Sequence, residues 1–231
     1  MDLDFSFLNW DVLTGFVLKG LVFSVQLTLI AMIGGIVLGT LLALMRLSGK
    51  PWLEKPASFY VNTMRSIPLV MVILWFFLLI PLMIGKPMGA EASAIVTFTL
   101  FEAAYYSEIM RAGMDSIHKG QLEAAECLAL TRRQVYWHVV LRPAMEKVYP
   151  ALTSQFVLLM LATSITSQIS VEELTAIAAR VQSETFRPFE AYILVALAYL
   201  LLSLLMRLGL WLFGQLIFTR KRKLAAAGGT R

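Results

Sequence analysis

The chain has 231 residues, 58% of them hydrophobic and only 15% charged. A globular domain is typically about 45–50% apolar and about a quarter charged, so an ordinary soluble domain is excluded, as is a disordered chain, which could not keep so much apolar surface solvated. The net charge of +5 matters through its placement, and at about 20 apolar residues per crossing the length accommodates roughly five or six crossings of an integral membrane protein.

The first residues, Met1-Asp2-Leu3-Asp4, are acidic where a cleavable signal peptide would carry a basic start. An apolar block over 15–47 predicts the first crossing. It contains Gly35-Ile36-Val37-Leu38-Gly39, a spacing that permits close helix approach, and is followed by Lys50 and Lys55. The second crossing, 66–85, is interrupted by Pro81 and closed by Gly85-Lys86-Pro87. The third, 90–111, is broken by Glu102. A polar segment, 112–147, leads to the fourth crossing, 148–169. A charged stretch then precedes the last, 190–218, and Arg220-Lys221-Arg222-Lys223 form a basic tail ahead of a frayed end.

Five crossings put the termini on opposite sides, and lysine and arginine decide which is inside. With the C-terminus cytoplasmic, the inner segments hold Arg46, Lys50, Lys55, Arg65, the basic residues of 111–147 and the tail. The outer ones hold only Lys19, Lys86, Arg180 and Arg187 among acidic residues such as Asp2, Asp4, Asp11, Glu172 and Glu184. The expected architecture is an all-α integral membrane protein, a five-span helical bundle with its N-terminus outside.

Within 112–147, Gln121 to Leu130 (QLEAAECLAL) is built of helix formers, with Leu122, Ala125 and Ala129 near helical spacing. Thr131 and Gln134 then read as a capping box. A short helix, a turn and a new helix follow. Such a helix either docks on a cytoplasmic partner or rests on lipid headgroups, and the residues alone leave both open. Ser170-Val171-Glu172-Glu173 reads as a second capping box starting a short outer helix, which serves as a landing surface or as a lid.

Polar residues at membrane depth are costly and face the interior or a water cavity. Glu102 either lines a translocation path or pairs with a polar group on a neighbouring helix, and the pairing is favoured. Arg65 could fork onto a substrate carboxylate, or snorkel and pair with Glu108, the slightly preferred reading. Gln155, Leu159, Ala162 and Thr166 fall on one helical stripe with Thr163 beside it and Ser164 pointing nearly the other way. Hydroxyls there commonly bond across helix interfaces, whereas the Gln155 amide is the better candidate for substrate contact. The aromatics Trp75-Phe76-Phe77 and Tyr105-Tyr106 read as packing.

The single cysteine, Cys127, precludes an internal disulfide, and with only His118 and His138 the chain lacks a zinc set. Gly15 and Gly20 have phosphate-loop spacing, but Leu21 stands where lysine would be required, so any nucleotide chemistry belongs to another subunit. No nucleic-acid partner is implied. A membrane-embedded enzyme using Glu102 is the alternative, but the crossings display no histidine, cysteine or carboxylate pair at helical spacing. A passive channel lacks a filter motif.

Glu123-Ala124-Ala125, with a small residue at Ala129 and Val139-Val140-Leu141 beyond, resembles the EAA loop of ABC importer permeases. Residues 101–117 (FEAAYYSEIMRAGMDSI), Lys119-Gly120-Gln121 and 65–81 (RSIPLVMVILWFFLLIP) are similar to the polar amino-acid permeases, closest to the glutamate/aspartate type. The similarity covers about 15–218. The resemblance implies a type I importer in a bacterial inner membrane. A second permease, identical or paralogous, would complete the pore, two ATPase subunits would hold ATP and Mg with no cofactor on this chain, and a periplasmic binding protein would deliver the amino acid. It further implies that Gln121, Glu123, Ala124, Ala125 and Ala129 couple to the ATPase; the polar side chains themselves make Arg65, Gln155, Thr163 and Ser164 the candidates for the substrate pathway. Three departures stand out. Alanine occupies 129 where the family has glycine, and since alanine tolerates a left-handed backbone poorly, a wider turn or longer helix is expected. Arg142 precedes Pro143 where the family has proline. Leu161-Ala162 replaces a polar or charged pair before Thr163-Ser164, which suggests the less substrate-engaged half of a heterodimer.

Overall fold

The computed structural model describes residues 15 and 17–218. The acidic start with Asp2, Asp4 and Asp11 and the basic tail at Arg220 to Lys223 lie outside the described residues. Every regular element among the described residues is helical. In chain order they are α1 (Leu18–Arg46), α2 (Pro51–Ser66), α3 (Leu69–Ile84), α4 (Ala90–Asp115), α5 (Lys119–Cys127), α6 (Arg132–Ile169), α7 (Leu174–Thr185) and α8 (Pro188–Ile217). α3 carries a π-helical turn at Trp75–Leu79, and α6 one at Val135–Leu141 and a 3-10 end at Thr163–Ile169.

Three helices, α1, α6 and α8, are long and apolar enough to cross a membrane, and a fourth crossing exists if α2 and α3 form one broken span. The segment between the first two expected crossings is helical, with Pro51 at the first helical position and Pro56 absorbed near the start. α2 and α3 meet at a 106° bend. Ile67 is extended (φ −111°, ψ 136°) immediately before Pro68, as the pyrrolidine ring requires of the residue ahead of it. α6 begins at Arg132, so the fourth apolar segment extends well before the expected residue 148.

The expected third crossing corresponds to α4, which carries Glu91, Glu102, Glu108, Arg111 and Asp115 and is not among the helices that qualify by composition. It is instead the centre of the bundle, contacting α1, α2, α3 and α6. Small residues bring α1 against it. A Cβ on Gly35 would stand 2.8 Å from the Tyr106 ring, and one on Gly39 would stand 2.7 Å from Tyr106 Cβ and 2.8 Å from the Ala103 carbonyl oxygen. The close approach expected of Gly35 and Gly39 is therefore present. The Tyr60 hydroxyl donates to the Leu100 carbonyl at 2.8 Å, tying α2 to α4.

Two apolar cores flank this contact. One gathers Tyr106, Met110, Met114, Ala144, Val148 and Phe156 between α4 and α6. The other gathers Leu27, Ala31, Ile73, Phe98, Leu159 and Ile169 among α1, α3, α4 and α6. Tyr106 meets Phe156 edge-on at 5.5 Å. Phe77 packs on the second core, whereas Trp75 lies 38% exposed, so the aromatic run is only partly internal. α8 leans on α6 and α7 and leaves most of its leucines uncovered.

α7 starts three residues later than its sequence suggests. Ser170 adopts a left-handed conformation (φ +61°) that closes α6, and cannot cap α7. Glu173 is the cap instead: its carboxylate accepts from the Ala176 amide at 2.9 Å and from the Tyr199 hydroxyl at 2.5 Å. Burial pushes this carboxyl above the usual carboxylate range, the hydrogen bonds opposing the shift without cancelling it. A Cβ on Gly20 would stand 2.9 Å from the Leu174 amide nitrogen, so α1 also crosses closely at the head of α7.

Candidate functional site

The EAA segment forms α5, a nine-residue helix between α4 and α6. It ends in a Schellman closure: the Leu130 amide donates to the Ala125 carbonyl at 3.1 Å and the Ala129 amide to the Glu126 carbonyl at 2.9 Å. Ala129 takes the left-handed position with φ +51°. The expectation of a wider turn or longer helix is thus corrected. Ala129 adopts the left-handed backbone that glycine favours, held there by the two closing hydrogen bonds. The left-handed form costs an L-residue about 1–2 kcal/mol, partly offset in a glycine variant by greater unfolded-chain freedom. Ala129→Gly is therefore expected to stabilise the turn by about 1 kcal/mol, read as slower exchange of the Leu130 amide; unchanged exchange would mean that the position is unstrained.

The capping box is formed as expected. The Thr131 hydroxyl accepts from the Gln134 amide at 3.4 Å, while Gln134 Oε1 accepts from the Thr131 amide at 2.9 Å. Gln121, Glu123, Ala124 and Ala129 face outward, but Ala125 is 3% exposed and turned into the bundle, where α5 packs on 135–141. The free face of α5 is therefore lined by Glu123, Ala124, Cys127 and Leu128, with Leu128 73% exposed. Ala124 and Cys127 are the short side chains on that face, between Glu123 and Leu128. His118 stands at the α5 N-cap and His138 bonds to the Gln134 carbonyl at 3.2 Å. No cluster of three metal-ligating side chains exists among the described residues.

The second group lies deeper. Glu102, 3% exposed on α4, accepts from Gln155 Nε2 on α6 at 3.0 and 3.3 Å. The pairing reading of Glu102 is the one observed, and its partner is the amide singled out for substrate contact. Thr163 is fully buried and donates to the Met160 carbonyl at 2.6 Å; Ser164 is part-exposed and donates to Leu161 at 2.9 Å. Both hydroxyls serve the 3-10 end of their own helix.

Arg65 lies elsewhere, about two turns along α4 from Glu102, with Nη1 3.4 Å from Glu108 Oε2 and its guanidinium 5.6 Å from the Tyr105 ring centre. Glu108 also takes Arg46 Nη1 at 2.8 Å and Arg111, and Arg111 reaches Asp115 at 2.6 Å. One carboxylate thereby ties α1, α2 and α4 at the end that carries α5. The sequence suggested Glu108 only as a partner for Arg65. The signal for its larger role is arginine at the ends of two successive helices, Arg46 and Arg65, but the convergence depends on the 106° bend.

Residues 35–217 match the family described as binding-protein-dependent transport system inner membrane component. The chain is 37% identical over 196 residues to the glutamate/aspartate import permease protein GltK of Escherichia coli O157:H7, covering 82% of this chain and 88% of that one. It is 33% identical over 194 residues to the octopine transport system permease protein OccM of Rhizobium meliloti, covering 80% and 79%. Among solved structures, an amino acid ABC transporter crystallised with histidines superposes with a TM-score of 0.84 at 30% identity, over 93% of this chain and 99% of that one. The MetNI methionine transporter in an inward-facing form, at 19% identity and a TM-score of 0.71 over 90% and 97%, shares the fold. The chain therefore belongs to the family of inner membrane components of binding-protein-dependent transport systems, with the permease fold of a type I ABC importer.

Proposed function

We propose that this chain is the permease subunit of an ATP-driven importer of polar amino acids, with glutamate and aspartate as cargo. The observation that carries the cargo is the 37% identity to a glutamate/aspartate import permease across 82% of the chain. In this reading α1, α3, α4, α6 and α8 are the five crossings, the N-terminus is outside and α5 is cytoplasmic, as the lysine and arginine distribution favours. Two ATPase subunits take α5 in a groove, a second permease completes the pore, and a periplasmic binding protein supplies the substrate. ATP and Mg stay on the ATPases.

The mechanism follows from one continuous rod. α5 packs on 135–141, the start of α6, and α6 runs 38 residues from Arg132 to Ile169, with Gln155 along it. A displacement of α5 by the ATPases moves the same rod that carries Gln155, so the bundle rocks about a midplane site in alternating access. Gln155 is the residue for cargo contact, its amide being shared with Glu102. Thr163 and Ser164 shape the bend of the pathway wall, and Arg65 holds the inner end closed through Glu108.

The test is ATP hydrolysis by the reconstituted importer with binding protein loaded with glutamate, aspartate, glutamine or arginine in turn. Stimulation by the acidic pair alone is expected; stimulation by another amino acid keeps the importer and discards this cargo. Ala124→Lys on the free face of α5 is expected to reduce stimulation about tenfold with the bundle intact, since a misfit side chain at a packed contact costs about 1–3 kcal/mol. Undiminished stimulation would remove α5 from the coupling contact. Ala125 is unsuited to this test, because its burial makes any bulky replacement a packing defect.

A further inference from the structure

Between the start of α6 and the end of α8 lies a cavity of about 750 Å³. Its floor is two rows at four-residue spacing on α6: Arg133, Trp137, Leu141 and Met145 in one, Gln134, His138 and Arg142 in the other. The π-helical turn over Val135–Leu141, with i to i+5 hydrogen bonds, keeps residues four apart nearly in line. Phe213, Ile217 and Phe218 form the α8 wall. The two helices come close because Gly214 faces Tyr149, where a Cβ would stand 2.5 Å from the ring. The Tyr149 hydroxyl donates to the Leu210 carbonyl, fixing the contact.

Charge and depth both bear on what fills this space. Among the described residues, no aspartate or glutamate lines the cavity, and Arg133 and Arg142 make no ion pair. An adjoining space of about 340 Å³ shares Tyr149 and Phe218, and holds Arg207 and Trp211 with a single acid, Glu146. α6, at 38 residues, is about 57 Å long, far more than a hydrocarbon core of about 30 Å. Its first turns therefore leave the core where α8 ends. Exposed Trp137 suits that boundary, as an amphipathic ring does.

We infer that this cavity is a binding site for an anionic phospholipid, the phosphate lying toward Arg133 and Arg142 and the acyl chains running along Leu141, Met145 and Phe213. Unpaired cations between crossing helices at a membrane boundary select acidic headgroups, while the apolar wall accepts the chains. A lipid held there bridges the start of α6, on which α5 packs, to α8.

The experiment uses the purified full chain in mixed micelles with phosphatidylglycerol or phosphatidylcholine brominated on the acyl chains. The Trp137 share of fluorescence quenching is read by difference from Trp137→Phe. Half-quenching of Trp137 is expected at lower phosphatidylglycerol than phosphatidylcholine. Arg133→Gln and Arg142→Gln are each expected to raise the phosphatidylglycerol required about fivefold, while Arg142→Lys retains the preference. Excess inorganic phosphate is expected not to displace the lipid, since it cannot replace the chains. Equal quenching by the two lipids in the unsubstituted chain would overturn the site, independently of how the variants fold. So would full displacement by phosphate, which would assign it to a free anion. Absence of Trp137 quenching by either lipid would mean that no lipid enters the cavity, and would overturn it as well.

Discussion

Gly39→Leu is expected to dissociate α1 from α4 and to cost about 3 kcal/mol, the upper part of the range for an overpacked contact. The clash would be with atoms that cannot rotate away. A Cβ at 39 would stand 2.8 Å from the Ala103 carbonyl oxygen and 2.9 Å from the Ser107 amide nitrogen, both main-chain atoms of α4. Gly34→Leu makes the contrast, because the obstruction there is the Thr99 side chain at 2.8 Å, which has other rotamers. Unfolding followed in detergent by circular dichroism and by yield of monodisperse protein would read both. Equal tolerance of the two substitutions would mean that α1 does not hold its place through Gly39. The effect is large because α4 meets α1, α2, α3 and α6 at once, so one displaced neighbour loosens the rest.

The second large effect is at the deep pair. Gln155→Leu leaves the Glu102 carboxyl, 3% exposed, without the donor that serves both of its oxygens. Stranding a buried acceptor costs about 1–3 kcal/mol, and more for a charged one, so a loss of about 3 kcal/mol is expected. Replacing both partners by leucine is expected to cost less than Gln155→Leu alone, since it leaves neither the amide nor the carboxyl unpaired. The coupling energy from the double-mutant cycle measures the pair directly. Strict additivity of the two single changes would show that the contact contributes nothing to stability, and would leave the amide free for cargo.

Apolar blocks, a broken third segment and an EAA segment followed by a capping box were legible in the chain itself. The Thr131–Gln134 box, the close approach at Gly35 and Gly39, and the Glu102 pairing correspond to what their residues predict. These features are local or depend on one periodicity: a cap is settled within four residues, and a small-residue stripe within two turns. The family was legible for the same reason, because short contiguous motifs carry it.

The start of α7 shows where local reading fails. Ser170 and Glu173 are both competent caps, and the left-handed backbone at Ser170 with the Tyr199 hydroxyl on Glu173 selects the latter; Tyr199 is 26 residues away. Ala129 departs for a related reason. Its intrinsic preference opposes a left-handed backbone, and the fixed start of α6 at Thr131 overrides it with the two closing hydrogen bonds.

By itself, the sequence determined that this protein is helical, membrane-embedded and equipped with a short helix between two longer ones, because hydropathy and capping are properties of neighbouring residues. Only the tertiary structure decided that α4, despite its five charged side chains, lies at the centre, that Ala125 turns inward while Ala124 faces out, and that Arg46, Arg65 and Arg111 converge on Glu108. The first and last depend on the 106° bend between α2 and α3 and on glycine contacts between α1 and α4, and the second on the packing of α5 against 135–141. Burial and charge pairing between segments far apart in the chain follow from how helices cross, a geometry that no single stretch of sequence contains.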